Sequence, residues 1–207
     1  LGATVLTDPG NHLLQATSTA RPLESARVNL LTYTEDFSNA VWTKDLVTAT
    51  TTAITETTGT GLHRTMHRKL DIVVGGAYRY FVRVKRGVGS RNIDLIGVNA
   101  PFFFAQSFIL SGAGTVGAYS DYGDTVTITD VTIDLGMDGY YTCGLTVAWS
   151  AGASMSLMFD LNNGSTSNYT GDGVSSLEFD GVQWQFAPET AYQPILTDGS
   201  SYPATGF

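Results

Sequence analysis

The chain has 207 residues and a net charge of −8, and charged residues make up only 14% of it. This length suits one large β domain or two small ones. Because Cys143 is the only cysteine, a disulfide scaffold within the chain is excluded. No stretch approaches the ~18 uncharged apolar residues of a membrane-spanning helix, and the acidic balance argues against general nucleic-acid binding. We therefore expect neither membrane insertion nor a nucleic-acid partner.

Charge is segregated along the chain. The segment from Arg64 to Arg91 contains eight basic residues and one acid, Asp71, so that it carries +7, whereas the rest of the chain carries −15. A basic surface of this kind can bind an acidic glycan or an acidic neighbouring protein. The alternative is that these charges form an ordinary solvated face.

Residues 1–26 are predicted to form an extended arm or linker with room for one short strand. Asp8-Pro9-Gly10-Asn11 is typical of a turn, and no amphipathic pattern follows it. Residues 1–20 lack the basic start and apolar run of a signal peptide, and we expect the chain to be a processed product or a part of a longer one. The main domain is predicted over 27–200, followed by a C-terminal tail over 201–207.

Strand patterns follow in order from residue 28. Apolar or β-branched runs occur at 28–33, 46–58 and 62–74, and a turn at Gly75-Gly76 precedes the clearest strand, Ala77–Lys85. Alternation along this strand places four residues on a core face, namely Tyr78, Tyr80, Val82 and Val84. The other face is predicted to meet solvent or a partner, and it carries Arg79, Phe81, Arg83 and Lys85.

Six further strands are predicted, over 92–99, 102–110, 125–135, 140–149, 155–161 and 177–186. No segment shows a sustained helical period. Roughly ten strands at regular spacing, with turn residues between them, predict an all-β fold. The fold class that this pattern favours is an antiparallel β-sandwich of jelly-roll type with an extended N-terminal arm.

Motifs that suggest catalysis or metal binding have better structural explanations. Residues 112–117 match G-x-G-x-x-G, but another turn over 118–124 follows where a dinucleotide-binding helix would begin, so a hairpin is predicted. His63 and His67 would lie ~13 Å apart on a strand, which is too far to share a metal ion, and they are predicted to face solvent. Cys143 lies on the core side of its strand and is predicted to be buried.

Aromatic side chains are the remaining candidates for ligand binding. Apolar faces of sugar rings stack on such side chains, while polar and charged side chains bind the hydroxyl groups. The alternative for each ring is that it fills the core, as β proteins require. The candidates are Trp42, Tyr122, Tyr169 and Trp184, together with the strand face of Arg79, Phe81, Arg83 and Lys85.

Several short motifs occur in a fixed order along residues 11–200. The opening segment, residues 27–44, is similar to R-x-N-L-L-x-x-S-E-x-F-x-x-x-x-W-x-K, and residues 78–85 are similar to the strand Y-T-F-S-V-Y-V-K. Later segments are similar to F-D-L-S-x-G-T-V-G (108–117), N-G-W-Y-R-C (138–143), Y-T-G-D-G (169–173), G-A-Q-L-E (181–185) and S-Y-I-P-T (192–195). In this order the motifs resemble a family of bacteriophage virion domains with a carbohydrate-binding-module-like jelly roll.

The resemblance implies a non-enzymatic virion part, a tail-fibre, spike or head-fibre domain that holds host-surface sugars. It implies that no cofactor is required, apart from a structural calcium ion that related modules hold between their first and last strands. Glu35, Asp36 and Asp180 stand at positions suited to such an ion. The chain departs from the family pattern at Tyr140 and Thr142, where the motif has Trp and Arg.

The expected function is adhesion of a phage structural protein to host-surface polysaccharide, with the protein on the virion and in contact with other virion proteins. The alternative is a capsid decoration or cement protein, in which residues 1–26 and the basic face clamp onto an acidic capsid surface. A glycan depolymerase is a third interpretation. A homotrimer suits the first two because fibres and decorations sit on symmetric virions.

Overall fold

Strands and turns, without any helix, make up the described part of the computed structural model, which comprises residues 6–7, 13–14, 29–123, 126–150 and 154–186. The strands are β1 (Leu6–Thr7), β2 (Leu13–Leu14), β3 (Trp42–Asp45), β4 (Val47–Ala49), β5 (Ala53–Glu56), β6 (Thr60–Leu62), β7 (Arg64–Asp71), β8 (Ala77–Arg86), β9 (Asn92–Asn99), β10 (Phe102–Ile109), β11 (Thr115–Tyr122), β12 (Val126–Leu135), β13 (Tyr141–Trp149), β14 (Ser154–Asn162), β15 (Asn168–Thr170) and β16 (Ser176–Phe186). These residues accordingly hold no helix that could cross a lipid bilayer.

Two six-stranded sheets form the body of the fold. The first sheet has the strand order β11-β10-β9-β14-β7-β3, the second has the order β12-β13-β8-β16-β5-β4, and two small sheets pair β1 with β2 and β15 with β6. Every described pairing is antiparallel. Neighbours such as β8 and β16 are distant in sequence, so the chain crosses repeatedly between the sheets, as in a jelly roll. The predicted all-β antiparallel sandwich is confirmed.

The core lies between the two sheets and is rich in aromatic side chains. Phe159 of the first sheet packs against Phe179 of the second, with ring centroids 5.5 Å apart. The core face predicted for β8 is confirmed, because no surface remains exposed on Tyr78, Tyr80, Val82 or Val84. Also buried are Cys143, as predicted, and the three tryptophans Trp42, Trp149 and Trp184.

The hairpin predicted at residues 112–117 is confirmed, but its second strand is longer than predicted. Strands β10 and β11 pair across a turn in which Gly114 N donates to Ser111 O at 3.0 Å, and Gly112 and Gly114 adopt φ values of 59° and 87°. Such positive values favour glycine. Residues 118–122, predicted as a turn, continue β11, because an edge strand exposed along most of its length needs no apolar alternation.

The N-terminal arm is described only at β1 and β2, which pair antiparallel with Leu6 opposite Leu14. The rest of the predicted arm over 1–26 lies outside the described residues, and so do residues 187–207, which include the predicted tail over 201–207. The described β-sandwich extends from β3 to β16.

Candidate ligand-binding groove

The outer face of β8 differs from the solvent face that the sequence predicts. Arg79 and Phe81 are only 5% and 3% exposed, which contradicts the prediction for both. The Arg79 guanidinium donates to Asp130 O at 2.5 Å and to Thr132 Oγ1 at 2.8 Å, where β12 has a bulge. Gly144 leaves the space for it, since a Cβ there would lie 2.7 Å from Arg79 Nη2. Arg79 therefore stabilises the bulge of β12.

Arg83 and Lys85, on the same face, are half-buried, and acidic side chains neutralise their charges. Arg83 Nη2 lies 2.5 Å from Asp138 Oδ2, and Arg83 Nε lies 3.3 Å from Asp180 Oδ2. Lys85 Nζ lies 3.0 Å from Glu178 Oε2. Two cations thus meet three carboxylates, and the charge segregation of the sequence does not produce a basic surface at these residues.

Of the four separate aromatic candidates, only Tyr122 is well exposed. Trp42 and Trp184 are completely buried and Tyr169 is 9% exposed, whereas Tyr122 is 60% exposed. The Trp184 ring stacks on the Tyr78 ring, with centroids 4.8 Å apart and planes 6° apart. The two tryptophans are therefore core residues, and their rings are not available to a ligand at the surface.

Tyr169 belongs to a buried polar cluster centred on Glu56. The Glu56 carboxylate accepts hydrogen bonds from Arg91 Nε at 2.7 Å and Nη2 at 2.6 Å, from the Tyr169 hydroxyl at 2.7 Å, and from Asp172 N at 2.6 Å. The Arg91 guanidinium also lies over the Tyr169 ring, 4.9 Å from its centroid. Because these charges and donors are satisfied by one another, the cluster is a structural link between β5, β15 and the start of β9.

The pKa of Glu56 reflects this arrangement. Burial alone would raise the pKa, but the hydrogen bonds from Arg91, Tyr169 and Asp172 outweigh it and lower the pKa below its usual value. Hydrogen bonds from Ser175 hold the pKa of the Asp172 carboxyl well below its usual range. The Glu56 and Asp172 carboxylates are therefore ionised at neutral pH.

The calcium ligands expected from the resemblance do not assemble into a metal site. Within the described ranges, no three histidine, cysteine or acidic side chains gather closely enough to hold an ion. Asp36 Oδ1 accepts hydrogen bonds from the Ser38 hydroxyl at 2.5 Å and Ser38 N at 3.1 Å. Asp180 pairs with Arg83, and Glu35 is half-buried near the start of the first sheet.

His63 and His67 are buried, so the prediction that they face solvent is wrong. His63 has no exposed surface, and its ring nitrogens lie 2.8 Å from Leu46 O and 3.2 Å from Tyr169 O. His67 is 5% exposed and packs edge-on against the Trp42 ring, with centroids 5.0 Å apart. Both rings fill the interior instead of a solvent face.

A groove of about 440 Å³ lies on the outer face of the first sheet. Side chains of β9, β10 and β14 that point away from the core line it, including Ile96, Ala105 and Met158. The turn between β9 and β10, which contains the cis Ala100–Pro101 peptide bond, and Leu62 of β6 flank it. This volume and a mainly apolar lining with a few polar groups are typical of small-molecule sites.

Two parallel aromatic rings stand at one side of the groove. Phe103 of β10 lines it, and Tyr122 of β11 is opposite Phe103 in the strand register. Their ring centroids are 6.4 Å apart and their planes differ by 7°. Because Tyr122 is 60% exposed, its ring is accessible to a ligand that presents an apolar face.

Arg64 and Asp160 form the polar end of the groove. They are opposite each other on β7 and β14, and Arg64 Nη2 lies 3.3 Å from Asp160 Oδ2. The Asp160 side chain is 1% exposed and that of Arg64 is 21% exposed, so Arg64 is the member of the pair that a ligand can reach. The Asp160 carboxylate has the Arg64 guanidinium and the Ser167 side chain as its neighbours, whereas Arg64 Nε is buried without a hydrogen-bond partner. A buried donor of this kind is rare in folded proteins and costly, and it suggests a functional site.

Burial raises the pKa of Asp160 to about 7. Arg64 opposes this rise, while the carboxylates of Asp94 and Asp45 add to it. Asp94 is opposite Asp160 in the register of β9 and β14, and burial raises its pKa too, although Asn162 Nδ2 donates to both of its oxygens at 3.2 and 3.1 Å. Asp160 therefore titrates near neutral pH.

We expect Asp160 to make folding stability depend on pH. Its folded pKa of about 7 lies above the unfolded value, so the folded state binds the extra proton and its stability falls as pH rises toward 7. The isosteric change Asp160→Asn removes this dependence. The unfolding free energy of the variant minus that of the wild type should rise by about 1–3 kcal/mol between pH 5 and pH 8, as measured by urea unfolding. A difference that is flat or falling with pH contradicts this assignment.

The sequence did not identify Phe103 or Asp160 as binding residues, and it did not place Arg64 in a groove. A signal for Asp160 does exist, since it is the one acid within the apolar run 155–161.

No protein-family profile matches the chain, and no characterised protein matches it closely enough to count as a relative. The fold and the groove define a class of protein, an antiparallel β-sandwich with an open groove on the outer face of one sheet.

Proposed function

We propose that the chain is a non-catalytic bacteriophage virion structural protein whose sandwich adheres to host-surface glycan through this groove. The observation that carries the adhesive role is a stacked aromatic pair, half-buried Phe103 and exposed Tyr122, at the side of a cavity of about 440 Å³ that Phe103 lines together with the half-buried Arg64. Sugar rings offer an apolar face for stacking and hydroxyl groups for a guanidinium. The virion location, as a tail or head fibre, rests on the ordered motifs of the sequence.

The groove supports this proposal better than the strand face of β8 that the sequence nominates. Arg79 and Phe81 are buried there, and Arg83 and Lys85 are paired with acids. A ligand at those residues would have to displace existing ion pairs. At the groove, by contrast, Tyr122 stacks beside the lining residue Phe103 and is already exposed.

A capsid decoration protein is the second candidate, and experiment can distinguish it from an adhesion protein. In that role residues 1–26 would contact other virion proteins, and a homotrimer is proposed for either role. Loss of capsid stability on deleting residues 1–26, together with the absence of any glycan binding, would replace the adhesive proposal with the decorative one.

We expect Tyr122→Ala to weaken glycan binding by about two- to twelvefold. An aromatic contact contributes about 0.5–1.5 kcal/mol beyond its buried area, and 1.4 kcal/mol corresponds to tenfold in affinity. The measurement is binding of the full chain to an array of bacterial surface polysaccharides, followed by calorimetry with the best ligand. Met137→Ala is the matched control, because Met137 is fully exposed in the turn between β12 and β13, which belong to the other sheet.

Equal weakening by the two substitutions would contradict a site at Tyr122. Both side chains are exposed, so neither substitution opens a cavity in the core, and thermal unfolding of the two variants verifies that the fold is retained.

A further inference from the structure

We infer that the groove selects uncharged glycans and rejects glycans that carry carboxylate, sulfate or phosphate groups. This inference rests on the proposed function and names the chemical class of its ligand.

One row of charged residues crosses the first sheet at the polar end of the groove. Arg64 on β7 is opposite Asp160 on β14 and opposite Asp45 on β3, and Asp160 is in turn opposite Asp94 on β9. Three carboxylates therefore accompany one guanidinium. Arg64 is also the only basic residue among the described side chains that line the groove.

The guanidinium of Arg64 is not available as a free positive charge. Its Nη2 lies 3.3 Å from Asp160 Oδ2, and its Nη1 contacts Met158 Sδ at 3.5 Å. An anionic sugar would have to compete with a buried carboxylate for this cation. It would also be repelled by the carboxylates of Asp94 and Asp45, which neighbour the pair in the strand register. Electrostatic repulsion of this kind selects against the wrong ligand even where it adds little affinity for the right one.

An uncharged sugar avoids this repulsion and can still form hydrogen bonds at the polar end of the groove. Its hydroxyl oxygens accept hydrogen bonds from the 21% exposed Arg64 side chain, while its apolar face stacks beside Phe103 and Tyr122. Asp160, being 1% exposed, acts as a positioning residue that holds the guanidinium and supplies negative charge beneath it. The site is thus built for orientation of a neutral ligand.

The test compares one neutral oligosaccharide with its own acidic counterpart. The neutral probe is the hexose oligosaccharide with the strongest array signal, and the acidic probe has one hexose replaced by the corresponding uronic acid. Calorimetry with the full chain at pH 8, where Asp160 is ionised, is expected to show at least tenfold weaker binding of the uronate. Asp160→Asn and, separately, substitution of the exposed Asp45 by Asn should each lower the ratio of hexose to uronate affinity severalfold.

Asp138→Asn is the matched control, since it removes one negative charge from an exposed carboxylate near Arg83 on the other sheet. It should leave the ratio unchanged. Uronate binding as tight as hexose binding, or a ratio that changes equally in Asp138→Asn and Asp160→Asn, overturns the inference and leaves glycan adhesion standing. If neither probe binds, the proposed function itself is overturned.

Discussion

Glu56→Ala is expected to lower the free energy of unfolding by about 3–5 kcal/mol, the usual cost of removing one partner of a buried ion pair. Glu56 is 1% exposed and accepts four hydrogen bonds that link it to Arg91, Tyr169 and Asp172. Its removal leaves the Arg91 charge and the Tyr169 hydroxyl without their main partner inside the fold. Urea unfolding at pH 7 measures the change as a shift in midpoint at constant slope.

Glu178→Ala is the control for this prediction. Glu178 also pairs with a basic residue, Lys85, at 3.0 Å, but both side chains are partly exposed, at 42% and 34%. Solvent screens such a pair, so the midpoint should hardly move. Similar losses in the two variants would contradict the structural role assigned to the Glu56 cluster.

Trp184→Ala is expected to cost about 3–5 kcal/mol as well, for a different reason. The sequence nominates Trp184 as a sugar-stacking residue, but its ring is completely buried and packs face to face on Tyr78 and edge-on against Tyr80. Truncation removes this apolar contact and leaves a cavity between the sheets. Glycan affinity of the remaining folded protein should be unchanged. A variant that keeps its stability but loses glycan binding would return Trp184 to the list of ligand-binding residues.

The alternation of β8 was sufficient to predict its core face because successive side chains of a strand point to opposite sides. Alternation does not reveal what the second face meets. Arg79 is buried because Gly144 on the neighbouring strand leaves space and because the bulge at Asp130 offers a carbonyl oxygen. Both causes are far from Arg79 in sequence, and no local pattern contains them.

For the same reason, the charge segregation of the chain did not predict that acidic side chains neutralise Arg83 and Arg91. Asp138, which neutralises Arg83, lies 55 positions away, and Glu56, which binds Arg91, lies 35 positions away. Pairing across strands brought together charges that the sequence keeps apart. The groove likewise depends on contributions from β7, β10 and β14, and only the strand order of the sheet places Arg64, Phe103 and Asp160 around one cavity.

The motif Y-T-G-D-G at residues 169–173 supports the fold more than it supports a ligand site. Tyr169 binds Glu56, and Asp172 Oδ1 accepts hydrogen bonds from Ser175 N at 2.7 Å and Val174 N at 2.8 Å. Gly171 has no room for a side chain, since a Cβ would lie 1.9 Å from Thr57 O. A motif of this kind carries information about loop structure, and it gives no indication of Phe103, which lines the groove.

The most direct test of the ligand groove is NMR chemical-shift mapping of the full chain with the polysaccharide fragment selected on the array. A ligand on the outer face of the first sheet should perturb amide signals that cluster on β7, β9, β10, β11 and β14, around Arg64, Phe103 and Tyr122. Perturbations clustered instead on β8 and β16, around Arg83 and Lys85, would contradict this location of the ligand.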